Sequence, residues 1–137
     1  MSFVACTHAM PIRHFLAGSL LAAVCLGAGA APTPPAIRTE IDGLMAKMSA
    51  SGCRFERNGS WHDAAEARKH LLRKLDYIEG RRETLASTEQ FIEAAASKSS
   101  FSGRPYRVKC GSAEPMPSHE WLTRELKALR AGAGKSR

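Results

Sequence analysis

Residues 97–105 read Ser-Lys-Ser-Ser-Phe-Ser-Gly-Arg-Pro, the stretch best suited by composition to hold an anion. Lys98 and Arg104 bracket three hydroxyls, Ser99 and Ser100 among them, together with Gly103. Such a set binds phosphate or carboxylate through side chains and backbone N–H groups. The same hydroxyls equally serve local turns and the end of a preceding helix, so a solvated loop is the competing reading. A nucleophile built from Ser97, Ser99 or Ser100 with Lys98 is a third use. Ser97 and Lys98 are adjacent, however, rather than one helical turn apart, and no oxyanion donor can be named.

His62, Glu66 and His70 follow one another at spacings of four, which on one continuous helix would align them as metal ligands. Asp63 reads as a helix cap, which leaves His62 outside the helix. The span from 62 to 70 is roughly 12 Å along an axis, too long for one ion. No metal site and no cofactor are therefore assigned. The basic residues Arg68, Lys69, Arg73 and Lys74, with Arg81 and Arg82 beyond them, suit an anionic polymer or membrane surface, or simply water. Trp61 and Trp121 could stack on sugar rings, but each lies beside apolar helical residues and reads as packing.

The 137 residues carry 20 Lys and Arg against 13 Asp and Glu. In the first 30, Arg13 is the only charged side chain. It precedes the apolar run Phe15 to Leu26, and Ala28-Gly29-Ala30 follows, which is the pattern of a cleaved signal peptide over residues 1–30. Translation starts at Met1 or Met10. The uncharged stretch falls short of the ~20 residues of a spanning helix, so no transmembrane segment is expected after cleavage. Without Arg13 the mature chain keeps 19 Lys and Arg against 13 acids, a net of +6. For an exported protein that charge points to anionic envelope components or a periplasmic protein rather than nucleic acid. Cys6 and Cys25 leave with the leader, so Cys53 and Cys110 remain as candidates for a structural disulfide.

Residues 31–36 read as an extended linker, a single domain as 37–130 and a frayed tail as 131–137. Ile37, Ile41, Leu44, Met45 and Met48 recur at helical spacing up to Gly52. Cys53 to Arg57 alternates and ends at the Asn58-Gly59 turn, so it reads as a strand. A second helix from Asp63 to about Gly80 buries Ala64, Ala67, Leu71, Leu75 and Ile78. A third, capped by Ser87 or Thr88, uses Phe91, Ile92, Ala95 and Ala96. Tyr106, Val108 and Cys110 alternate in a second strand. Ser118 reads as the cap of a last helix burying Trp121, Leu122, Leu126 and Leu129.

The expected fold is α+β: about four helices with a two-stranded antiparallel ribbon. In the register where paired positions sum to 163, Cys53 faces Cys110, Phe55 faces Val108 and Glu56 meets Arg107 on the other side. Only Arg54 opposite Lys109 counts against it.

The run Ser51 to Trp61, the pieces Glu66-Ala67-Arg68 and Lys74-Leu75-Asp76-Tyr77, Ala96 to Ser100 and Ser102 to Tyr106 resemble the YfeK-like family. This is a group of small exported bacterial proteins with a domain of unknown function. The resemblance spans roughly Ile37 to Leu129. It implies a periplasmic location and brings no reaction, ligand or catalytic residue. The expected function is a non-enzymatic binding or envelope-associated module for an anionic partner, with Lys98, Ser99, Ser100 and Arg104 as its ligand-binding residues. The alternatives are a small envelope hydrolase using the Ser/Lys loop, or an inhibitor presenting that loop to an envelope enzyme.

Overall fold

The computed structural model describes residues 33–81 and 83–135. The leader expected over residues 1–30 lies outside the described residues. Helix α1 (Pro35–Ala50) begins two residues before the expected boundary at Ile37. Pro35 stands at the first helical position, where its fixed φ suits a helix and its missing N–H is not needed. Of the described residues of the expected linker, Thr33 and Pro34 lie outside the helix. Gly52, at φ +66°, ends the helix in a conformation that a glycine adopts freely.

Strand β1 (Arg54–Arg57) turns through Asn58 (φ +52°) and Gly59 (φ +86°) into β2 (Ser60–His62). Both turn residues are left-handed, as a two-residue type I′ hairpin requires. Helix α2 (Ala64–Gly80) starts on Asp63, whose carboxylate accepts the Glu66 N–H at 2.8 Å. Helix α3 (Thr88–Phe91), capped by Ser87, continues as one wider π-helical stretch from Ile92 to Ala96. Strands β3 (Arg107–Lys109) and β4 (Met116–Pro117) follow, then helix α4 (Ser118–Gly134).

The expected ribbon is a four-stranded antiparallel sheet in the order β2-β1-β3-β4. Its centre is the expected pair: Phe55 faces Val108, Glu56 faces Arg107 and Arg54 faces Lys109. The like charges of that last pair part company because Arg54 turns to β2, donating to the Trp61 and His62 carbonyls at 3.1 and 3.3 Å. One step further along, Cys53 and Cys110 form a disulfide with Cα atoms 4.3 Å apart. The two added strands have three and two residues, too short for alternation to reveal.

The sheet's inner face, Phe55 and Val108, joins a core of Ile41, Leu44, Met45, Met48, Leu75, Phe91, Leu122 and Leu126. Phe55 meets Trp121 edge to face, with ring centroids 5.6 Å apart. Among the described residues the core cluster runs from Ile41 to Leu126. Two expectations about α4 are corrected. Ser118 is not its cap; it is the first helical residue, buried, and its N–H donates to the Tyr106 carbonyl at 2.9 Å. The tail does not fray at Ala131, since the helix runs to Gly134. Its last turns are anchored by Arg130, which binds Glu40 of α1 at 2.6 Å and also pairs with Glu89.

Candidate functional site

On α2, His70, Arg73, Lys74 and Tyr77 stand at spacings of three and four, on a flank beside the buried face of Leu71, Leu75 and Ile78. This stripe forms one wall of an open cleft of about 560 Å³. Arg57 and Asn58 at the β1–β2 turn, the loop residues Ser99, Ser100 and Phe101, and Tyr106 complete the lining. Four basic side chains thus face the cleft, and among the described residues no carboxylate lines it.

Tyr106 is the fixed point of the site. Its N–H donates to the Ser97 carbonyl and its own carbonyl accepts from Ser118, both at 2.9 Å. Its hydroxyl lies 3.1 Å from His70 Nε2, and the two rings meet edge to face. Lys74 Nζ sits 5.3 Å from the Tyr106 ring centroid and donates to the Lys98 carbonyl at 3.1 Å. A cation over a tyrosine face is stabilised by the ring quadrupole.

The charge balance is strained on one side. Burial first, and then the positive charges of Arg57, Lys74 and Arg73, with His62 behind them, hold the His70 pKa down at about 4. Burial also lowers the Lys74 ammonium. It raises the Tyr106 phenol, against the smaller opposing effects of Arg57 and the Ser99 hydroxyl. Each shift disfavours further charge in a place where cations crowd without a carboxylate to offset them. Some cations elsewhere are paired: Arg38 binds Glu79 at 2.9 Å, Lys47 lies 3.7 Å from Glu125, and Arg130 holds Glu40 and Glu89.

The structure divides the residues singled out in the loop. Ser99 and Ser100 line the cleft, whereas the exposed Lys98 and Arg104 lie outside its lining. Much of the loop's polarity is spent on its own shape. Ser99 N–H donates to the Arg104 carbonyl and Gly103 N–H to the Ser99 carbonyl, both at 2.9 Å. Ser99 Oγ accepts from Ser102 N–H, and Ser102 Oγ reaches Asn58 at 2.7 Å. Ser97 Oγ is turned away, donating to the Ile92 carbonyl and to Glu93 at 3.2 and 3.1 Å. The buried Ser97 therefore closes a helix end and does not present a nucleophile next to Lys98.

His62, Glu66 and His70 border one small pocket but, among the described residues, form no group able to hold a metal ion. His62 Nδ1 pairs with Glu66 at 2.9 Å, and His70 faces Tyr106 instead. Trp121 is core, and Trp61 is 37% exposed on the edge strand β2. Arg57, Tyr77 and Phe101 were not picked out by residue type. The α2 wall is legible as the stripe at positions 70, 73, 74 and 77, of which the basic face of the sequence reading holds Arg73 and Lys74.

The profile of a family of unknown function, DUF5329, matches residues 35–130. A stretch of 52 residues is 47% identical to the uncharacterized protein YfeK of Salmonella typhimurium strain LT2, covering 38% of this chain and 41% of that protein. The chain thus spans less than half the length of the curated relative it matches. No solved structure matches.

Proposed function

The chain belongs to the DUF5329 family of unknown function, and from that premise we propose that it is an exported, non-enzymatic module that holds an anionic partner of the cell envelope. The observation that carries this reading is the cleft in which Arg57, Arg73, Lys74 and His70 stand together with no carboxylate in the lining. An anion there would offset the burial and the neighbouring positive charges that depress His70, and the burial that depresses Lys74, and the Ser99 and Ser100 hydroxyls stand beside it as further partners. Export rests on the leader-like residues 1–30, which place the mature start near Ala31. Among the described residues, no helix is long and apolar enough to cross a membrane.

Two measurements test the reading. The intact mass of the protein recovered from the periplasm should correspond to a chain beginning near Ala31; recovery with the leader intact in the inner membrane would refute export. Titration with inorganic pyrophosphate, followed by amide NMR shifts, should move Arg57, Arg73, Lys74 and Ser100. The double variant Arg57→Ala, Arg73→Ala should weaken that binding about a hundredfold or more, since each charge-assisted hydrogen bond contributes about 1.5–3 kcal/mol. Shifts confined to another surface, such as the Arg124 and Lys127 face of α4, would overturn the assignment of the cleft.

A further inference from the structure

Phe101 is 99% exposed at the tip of the loop, and Tyr77 is 63% exposed on α2. The loop owes its closure to the bonds among Ser99, Gly103 and Arg104 and to the Ser102–Asn58 contact, so the Phe101 ring adds nothing to folding. Both aromatic rings line the same cleft as Arg57, Arg73 and Lys74. Arg81 extends this positive face by donating to the Tyr77 hydroxyl at 2.6 Å.

Small free anions would use the cations and leave the Phe101 ring in water. A surface that is anionic at the top and apolar just beneath would use both. We infer that this face docks on an anionic phospholipid bilayer, with Phe101 entering the boundary between headgroups and acyl chains while Arg57, Arg73 and Lys74 meet the lipid phosphates. The tyrosine suits the depth above it, because its ring is apolar and its hydroxyl polar. The charge match is the attraction of basic side chains to an anionic leaflet. One inserted ring with a cluster of cations gives reversible attachment rather than permanent anchoring. The inference rests on the reading of the cleft as an anion site and names the source of the anion.

The test is co-sedimentation of the chain beginning at Ala31, which contains every core residue among the described residues, with vesicles of phosphatidylcholine alone or mixed with phosphatidylglycerol. Binding is expected only to the mixed vesicles, and it should weaken as salt rises. Arg73→Glu, a change of two charges, should lower affinity about 25-fold, taking about fivefold per charge at the membrane surface. Phe101→Ala should lower it about tenfold, as the buried ring is lost, and should lower pyrophosphate affinity far less, because the ring carries no charge to meet a free anion. Being fully exposed, this position can be altered without touching the core.

Vesicle binding that is indifferent to Phe101→Ala would overturn ring insertion. Pyrophosphate binding in the cleft without any vesicle binding would overturn the lipid surface and leave the anion site standing. Loss of both in the wild-type chain would remove the anion site itself.

Discussion

The double replacement Cys53→Ser, Cys110→Ser is expected to lower the unfolding free energy by about 4 kcal/mol, the entropy of the long loop that the cross-link withholds from the unfolded chain. The bridge joins residues 57 apart in sequence, and α2, α3 and the cleft loop all lie between them. Opening it therefore frees most of the cleft's lining in the unfolded state. For a domain of this size the corresponding fall in Tm is about 20 °C. Cys53 is buried against the core, so serine there adds a small polar penalty to the lost constraint.

The check is thermal unfolding of three samples: the oxidised protein, the same protein with reductant, and the double variant. The last two should coincide well below the first. A reductant effect under about 1 kcal/mol, or two free thiols in the denatured, unreduced protein, would show that the bridge does not carry this stability.

The second large effect is a loss of stability between pH 6.5 and about 4, centred on His70. Its folded pKa, about 4, lies below the ordinary 6.5. Above pH 6.5 both folded and unfolded states hold the ring neutral, so it contributes no pH dependence. Below that, the unfolded chain takes up a proton that the folded site resists, so stability declines as the pH falls and levels off once the folded ring also charges. The full shift corresponds to roughly 3 kcal/mol, and the partial exposure of the ring reduces this to about 2 kcal/mol.

Glu40 and Glu89 are held below the usual carboxylate range chiefly by Arg130. Their stabilisation is present above about pH 4.5 and is lost only as the pH falls further. The window from 6.5 to 4.5 thus isolates the histidine. His70→Gln, which can still meet the Tyr106 hydroxyl, should flatten denaturant-measured stability across that window. An unchanged slope in the variant would assign the effect to another group. Pyrophosphate bound in the cleft should make the wild-type decline shallower and end it at a higher pH, because the anion binds the folded state and lets the ring accept its proton there.

Local pattern determined the helices. Ile41, Leu44, Met45 and Met48 lie on one face because a helix repeats every 3.6 residues, and Asp63 and Ser87 cap because their side chains reach N–H groups two or three residues on. The β1–β3 register was also legible. Alternation on both strands, the two cysteines and the Glu56–Arg107 pair all fit one alignment, whereas a slip by one residue would turn Phe55 or Val108 away from the core.

Tertiary structure decided what lay below the reach of pattern. Ser60–His62 and Met116–Pro117 are strands because β1 and β3 offer them open hydrogen-bonding edges, not because their own residues alternate. Only folding could bring Arg57, the α2 stripe at positions 70 to 77 and the loop around Ser100 and Phe101 to one cleft, for they are far apart along the chain and meet through packing around Tyr106. Sequence marked Lys98 and Arg104 by their charge. The fold turned the neighbouring serines into the cleft and left those two charges outside its lining, since a loop's side-chain directions follow from its closing hydrogen bonds rather than from its composition.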